Sequence, residues 1–150
     1  MSRQVDVLAV ESILYGVYKA TYNVIGDSSA SLLRKMAPEI LNMFEKLDFD
    51  FSSTDNLGDI EMKLSETFKK LGMCDKITLS QKEDLLTVEI NNCAFSQLTK
   101  RLIDEDIPLF ACPFAALTIA IAERNLKKKA RLKTIDHPSE DKASVVVQLS

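Results

Sequence analysis

The spacing of the apolar residues changes along the chain from a helical to a strand-like period, and this alternation restricts the possible fold classes. Residues 76–80 and 85–90 alternate apolar and polar side chains with a period of two, which is typical of β-strands. The short polar connection at residues 81–84 predicts that these two strands form a hairpin. The side chains predicted to face the core are Ile77, Leu79, Leu86, Val88 and Ile90.

A second hairpin is predicted at the end of the sequence. Its strands cover residues 130–135 and 143–149, and the turn between them covers residues 137–142, from His137 to Lys142.

Elsewhere the apolar residues recur every three or four positions, which predicts α-helices. The predicted helical segments are residues 3–25, 28–47, 57–71, 92–104 and 113–127, and residues 48–56 form a polar loop. Pro38 lies in the middle of the second segment. It predicts a kink or two short helices with Ala37 at the break, because proline lacks an N–H donor and crowds the preceding turn.

The order of helices, hairpin, helices and hairpin predicts an α+β fold. We expect N-terminal helices plus a four-stranded antiparallel sheet, built from two hairpins separated by helices, with the helices covering one face. The length of 150 residues fits one domain over residues 1–150.

The first predicted helix is apolar around most of its circumference. Leu14, Val17 and Tyr18 lie on one stripe, while Ile13 and Tyr22 lie off it. Such a helix is either central to the core or covered by a second subunit. Because a symmetric dimer is the commonest way to bury such a surface, we predict a homodimer.

Composition excludes several partners. The formal net charge of −3 disfavours nucleic acid, whose binding proteins carry a basic surface. Apolar stretches are shorter than the roughly 18 residues of a membrane span, so no membrane insertion is predicted. The three cysteines include no Cys-x-x-Cys pair, which favours a reduced, cytoplasmic location.

Cys112 is the side chain with the most chemical potential. It precedes the predicted helix that begins at Pro113, where the helix dipole is expected to lower the pKa of a thiol. A nucleophilic cysteine also needs a base, and His137 is the only histidine. The simpler interpretation is that Cys112 is a small buried apolar residue, so no catalytic residue is predicted.

Metal binding has weak support. Cys93, Cys112 and His137 could provide ligands for zinc, with Asp136 or Glu123 as a fourth. Their spacing contains no ligand pair, and we therefore predict no metal and no cofactor.

An apolar pocket is the remaining candidate site. The helix from Pro113 is expected to form one wall, and the first two helical segments the opposite wall. The predicted lining residues are Leu14, Tyr18, Met36, Phe95, Phe114, Leu117 and Ile121. The alternative is that the alanines of this helix, such as Ala116 and Ala120, pack closely against a neighbouring helix.

Several segments resemble a known family. Residues 88–95 (Val-Glu-Ile-Asn-Asn-Cys-Ala-Phe), the Cys112-Pro113 helix start and the final valine-rich strand are similar to the 4-vinyl-reductase-like, hydrocarbon-binding domains. That family is related in fold to core subunits of the TRAPP vesicle-tethering complex and to haem-based nitric-oxide sensor domains. Many members carry further cysteines around the last hairpin, where this chain has none. A haem-binding histidine on a helix is also missing.

The resemblance implies a non-enzymatic module that binds a hydrophobic small molecule and acts as a dimer. The alternative is a structural or tethering subunit, similar to TRAPP components, that binds no ligand. An accessory enzyme acting through Cys112 is a third hypothesis, which requires His137 or a carboxylate beside the thiol.

Overall fold

The computed structural model describes residues 4–52 and 55–150, and the predicted α+β fold is confirmed. The helices are α1 (Val7–Ile25), α2 (Leu32–Lys46), α3 (Leu57–Lys70), α4 (Ser96–Asp104) and α5 (Pro113–Asn125), and the 3-10 segment Gly26–Ser31 joins α1 to α2. The strands are β1 (Lys76–Lys82), β2 (Leu85–Asn91), β3 (Ala130–Ser139) and β4 (Lys142–Leu149). The predicted helix start at Arg3, and residues 53 and 54 of the predicted loop, lie outside the described residues.

The four strands form one antiparallel sheet in the order β1-β2-β4-β3. The two hairpins therefore meet where β2 pairs with β4. Val88 stands at the centre, opposite Leu79 on β1 and Val145 on β4. Inward side chains on β2 and β4 alternate with partly exposed ones, so one face of the sheet packs on the helices.

Helix α5 lies in the middle of the core. Pro113 occupies its first turn, where a missing N–H costs nothing. All nine residues from Phe114 to Ala122 are buried, between α2 and the sheet. Such burial around the whole circumference is typical of a helix without a solvent face.

Helix α3 covers the outer edge of β1. The N–H groups of Ile77 and Leu79 point away from β2 and donate to the Oγ of Ser65 at 3.3 Å and to the carboxylate of Glu61 at 2.8 Å. Side chains of α3 thus satisfy donors that an edge strand otherwise leaves free.

Helix α2 runs without a break from Leu32 to Lys46 with Pro38 inside it, so of the two predicted alternatives, a kink or two short helices, the second was wrong. Leu33, Ala37 and Leu41 are buried at four-residue spacing on the side of α2 that faces α5. We attribute the continuity to this packing, which offsets the roughly 3 kcal/mol that an internal proline costs a helix. The helical region predicted from residue 28 begins as a 3-10 segment over residues 26–31, and the α-helix itself begins at Leu32.

The second hairpin has longer strands and a shorter turn than predicted. His137 and Pro138 belong to β3, and the turn consists of Glu140 and Asp141. Irregular register between Leu132 and Thr134, and again between Asp136 and Ser139, lets the strand continue past the proline.

Helix α1 is not central to the core. Within it only Glu11 and Tyr18 are buried. The side opposite the core carries the exposed residues Ala9, Ile13, Val17, Ala20 and Val24, which we call the α1 outer face. Among the described residues, no helix combines the length and apolar character that crossing a membrane requires.

Candidate functional site

An apolar cavity of about 310 Å³ lies between α1, α2, α4 and the start of α5. Its lining is almost entirely apolar and comes from helices, from the loop between α3 and β1, and from the loops that precede α4 and α5. The lining residues are Leu14, Tyr18, Ile40, Phe44, Met73, Cys93, Phe95, Leu98, Thr99, Leu109, Ala111, Cys112, Pro113 and Phe114. Volumes of about 300–1,000 Å³ are usual for small-molecule sites.

The structure brings four of the seven predicted pocket residues together in this lining: Leu14, Tyr18, Phe95 and Phe114. The other three are placed elsewhere. Leu117 and Ile121 are completely buried in the core, and Met36 packs against the core while remaining partly exposed. These three share the helical stripes of the lining residues, but they do not line the cavity.

Sequence reasoning missed several lining residues. Ile40 and Phe44 lie on the apolar face of α2, so periodicity could have identified them. Met73, Leu109 and Ala111 lie in loops, where no periodic pattern exists to assign a direction.

Tyr18 fixes the loop that closes one side of the cavity. Its hydroxyl oxygen accepts a hydrogen bond of 3.1 Å from the backbone N–H of Ala111. Its ring packs against Phe110 with 4.7 Å between the centroids. Burial raises the pKa of Tyr18, so the hydroxyl stays neutral.

Two of the three cysteines line the cavity, and both thiols are protonated at neutral pH. Burial raises the pKa of Cys93 to about 12. Burial also raises the pKa of Cys112, although the backbone N–H groups of Ala115 and Phe114 oppose the shift. The expectation that the helix start lowers the pKa of Cys112 was therefore wrong, because desolvation of the thiolate outweighs these donors.

The structure does not unite the weak metal candidates. Cys93 and Cys112 line the cavity, whereas His137 lies on β3. Within residues 4–52 and 55–150, no three His, Cys, Asp or Glu side chains are grouped so that they could hold a metal ion.

A second space, the β3 groove, lies between the start of α2 and strand β3 and measures about 320 Å³. Apolar residues such as Leu33, Phe110 and Leu132 form part of its walls, and Arg34, Arg131 and Lys133 also line it. Leu109 lines both this groove and the apolar cavity. The two spaces are therefore neighbours with one side chain in common.

Polar contacts attach α1 to the C-terminal end of α4. The hydroxyl of Tyr15 donates to Glu105 at 2.8 Å, and Lys19 and Arg101 pair with the same carboxylate at 3.3 and 3.0 Å. The Arg101 guanidinium also lies 3.9 Å from the centre of the Tyr15 ring. The hydrogen bond from Tyr15 and then that from Arg101 lower the pKa of Glu105.

The protein is thus an α+β protein in which helices cover one face of a four-stranded sheet and border an apolar cavity. The chain belongs to the family described as "Putative rubredoxin C-terminal domain", whose model matches residues 9–148. An uncharacterised protein of Methanocaldococcus jannaschii is 24% identical over 144 residues, which cover 95% of this chain and 87% of that protein.

A solved structure has a similar fold. It is subunit 3 of the trafficking protein particle complex from Naegleria fowleri, covalently bound to palmitic acid. The TM-score is 0.53 at 11% sequence identity, and the match covers 95% of this chain and 96% of that one. The predicted relation to TRAPP subunits is confirmed at the level of the fold. Membership of the 4-vinyl-reductase-like family stays a prediction, because the matching family model is a different one.

Proposed function

We propose that this chain is a non-enzymatic structural subunit that assembles through the α1 outer face, first of all with a second copy of itself. The observation that carries the proposal is the exposure of this face. Ile13, Val17 and Val24 are 69%, 51% and 82% exposed. Contiguous apolar side chains exposed to this extent are typical of a surface that binds another protein.

The geometry of the α1 outer face supports helix packing. Its residues follow each other at intervals of three or four, so they form one continuous stripe along α1. No charged side chain interrupts the stripe between Ala9 and Val24. Gly16 lies at its border and has open space beside it, so a neighbouring helix could approach closely. The fold-level likeness to a trafficking-complex subunit agrees with a role in assembly.

Sedimentation velocity of the chain and of two variants tests this function. We expect a dimer at micromolar concentration and a monomer for Val17→Asp, since a carboxylate would have to be buried in the interface. Met62→Asp is the matched control: Met62 is 52% exposed but lies on α3. A monomeric wild-type chain would refute the proposal, and dissociation by the Met62 change alone would move the interface to α3.

The apolar cavity favours a second candidate function, the binding of a hydrophobic small molecule. Its lining offers Leu14, Phe44 and Phe95 as contact surface and very few polar groups. The trafficking subunit of Naegleria fowleri carries covalently bound palmitic acid. In this chain the raised pKa values of Cys93 and Cys112 disfavour thiolate chemistry, and we therefore propose that a ligand binds non-covalently.

Titration with the uncharged dye Nile red tests ligand binding. We expect one dye per chain and loss of binding in Ala111→Trp, because the indole would occupy the cavity. Thr78→Trp is the control, because Thr78 is exposed on β1. Circular dichroism verifies that both variants fold. Unchanged binding in a folded Ala111→Trp protein would exclude the cavity as the site.

A further inference from the structure

The β3 groove and the apolar cavity are adjacent, but their chemistry differs. The loop before α5 borders both spaces, and Leu109 in that loop lines both. The cavity side of the loop meets aromatic and aliphatic groups together with the neutral Tyr18 hydroxyl. The groove side meets the cationic side chains of Arg131 and Lys133 on β3.

The cations of the groove have few anionic partners. Arg34 pairs with Glu123 at 3.8 Å, and both side chains are substantially exposed. Arg131 and Lys133 form no salt bridge within residues 4–52 and 55–150. The formal net charge of the chain is −3, so this local excess of positive charge runs against the overall balance. An anionic group in the groove would find complementary charge there.

We propose that the ligand is a single-chain amphiphile with an anionic head, whose hydrocarbon chain lies in the apolar cavity and whose head lies in the β3 groove beside Arg131 and Lys133. The inference rests on the ligand-binding candidate function above. A charged head inside the cavity would be desolvated without a cation, whereas the groove provides cations and access to water. The hydrocarbon chain of the ligand in turn excludes water from the apolar lining, which an inorganic anion cannot do. Leu109 lies where the head and the chain would join.

Isothermal titration of the full chain with three probes separates the two parts of the site. Decanoate has both a hydrocarbon chain and an anionic head, decanol has the hydrocarbon chain without the anionic head, and acetate has the anionic head without a long hydrocarbon chain. We expect decanoate, below its critical micelle concentration, to bind about tenfold more tightly than decanol, and acetate to give no measurable binding. Decyl phosphate then tests whether a phosphate head binds as well as a carboxylate.

The double variant Arg131→Gln/Lys133→Gln identifies the head site. We expect its affinity for decanoate to fall about five- to tenfold while its affinity for decanol stays the same. Lys127→Gln/Lys128→Gln is the matched control, because it removes the same charge outside the groove. Both double variants change exposed residues, and thermal denaturation verifies that they fold.

Each contrary result has a distinct meaning. Equal affinity for decanoate and decanol, unaffected by the groove variant, would overturn the head site and leave the cavity function intact. Binding of acetate as tight as that of decanoate would overturn the amphiphile and leave a simple anion site. No binding of decanoate or decanol, combined with no binding of Nile red, would overturn the ligand-binding function itself.

Discussion

The carboxylate of Glu11 on α1 accepts a hydrogen bond of 2.6 Å from the backbone N–H of Leu98, in the first turn of α4. The charged side chain of Glu11 is buried, and Glu11 lies among the apolar residues of α1. Helix α4 has no side-chain cap of its own, because Phe95 occupies the N-cap position. A residue 87 positions earlier thus provides the acceptor and a negative charge at the helix start.

Replacing Glu11 should therefore destabilise the attachment of α4. We expect Glu11→Ala to lower the free energy of unfolding by about 1–3 kcal/mol, because it leaves a buried N–H without an acceptor. Glu11→Gln keeps an amide oxygen there and should cost less. Urea denaturation measures both changes, with the exposed Ser12→Ala on the same helix as the control. Equal loss in the alanine and glutamine variants would contradict the capping role.

The cysteines should react slowly with alkylating agents. Burial raises the pKa of Cys74 to about 11 and that of Cys93 to about 12, so the thiolate fraction near neutral pH is very small. We expect iodoacetamide at about pH 8 to modify the folded chain at least about a hundredfold more slowly than the chain unfolded in guanidinium chloride. Mass spectrometry of timed samples gives the rates. Rapid labelling of Cys112 in the folded protein would revive the hypothesis of a catalytic thiol.

The stability should decline in alkaline solution. Cys93 has an ordinary pKa of 9.0, which the unfolded chain keeps, and a folded pKa of about 12. Above about pH 9 the unfolded state loses this proton and the folded state does not, so the equilibrium shifts towards unfolding. The contribution of the protonated Cys93 thiol to the free energy of unfolding is fully present below about pH 9, and it is lost as the pH rises through the folded pKa of this thiol. Thermal melts between about pH 8 and pH 11 should show a shallower decline for Cys93→Ala than for the wild type.

Two alanines, one in the packed core and one in the cavity lining, allow the cavity to be tested by substitution. Ala116 is completely buried in α5, whereas Ala111 lines the cavity. We expect Ala116→Leu to overpack the core and cost about 1–3 kcal/mol. Ala111→Leu should be neutral or stabilise by up to about 2 kcal/mol, since the added methyl groups enter empty space. Chemical denaturation compares the two variants, and similar losses in both would indicate that the cavity is too small or too rigid to accept a leucine.

The periodic spacing of apolar residues made most of the fold predictable. The structure around residues whose environment is set by distant elements could not be predicted in this way. The alternation around Val88 and the helical spacing in α3 and α5 depend on local patterns that sequence displays directly. Sequence alone could not show whether the helix continues past Pro38, because that depends on the packing of α5 against α2. The sequence likewise could not indicate that irregular pairing extends β3 through His137.

The candidate site was predictable only in part for the same reason. Tyr18 and Phe114 lie on helices whose inward faces the pattern identifies, and both line the cavity. Leu109 lies in an irregular loop, and the direction of its side chain follows from tertiary packing. The pKa of Cys112 depends on how deeply the loop is buried, which position at a helix start does not reveal.

The cover that Glu61 and Ser65 of α3 provide for β1 has a consequence for growth of the sheet. With the β1 edge occupied, β3 is the edge at which a further strand could pair. Strand pairing at β3, which is separate from the proposed interface on the α1 outer face, would join two copies into an eight-stranded sheet, and α3 would already provide acceptors at both outer edges of that sheet. Strand pairing between native copies would thus stop at two and could not continue into a fibre.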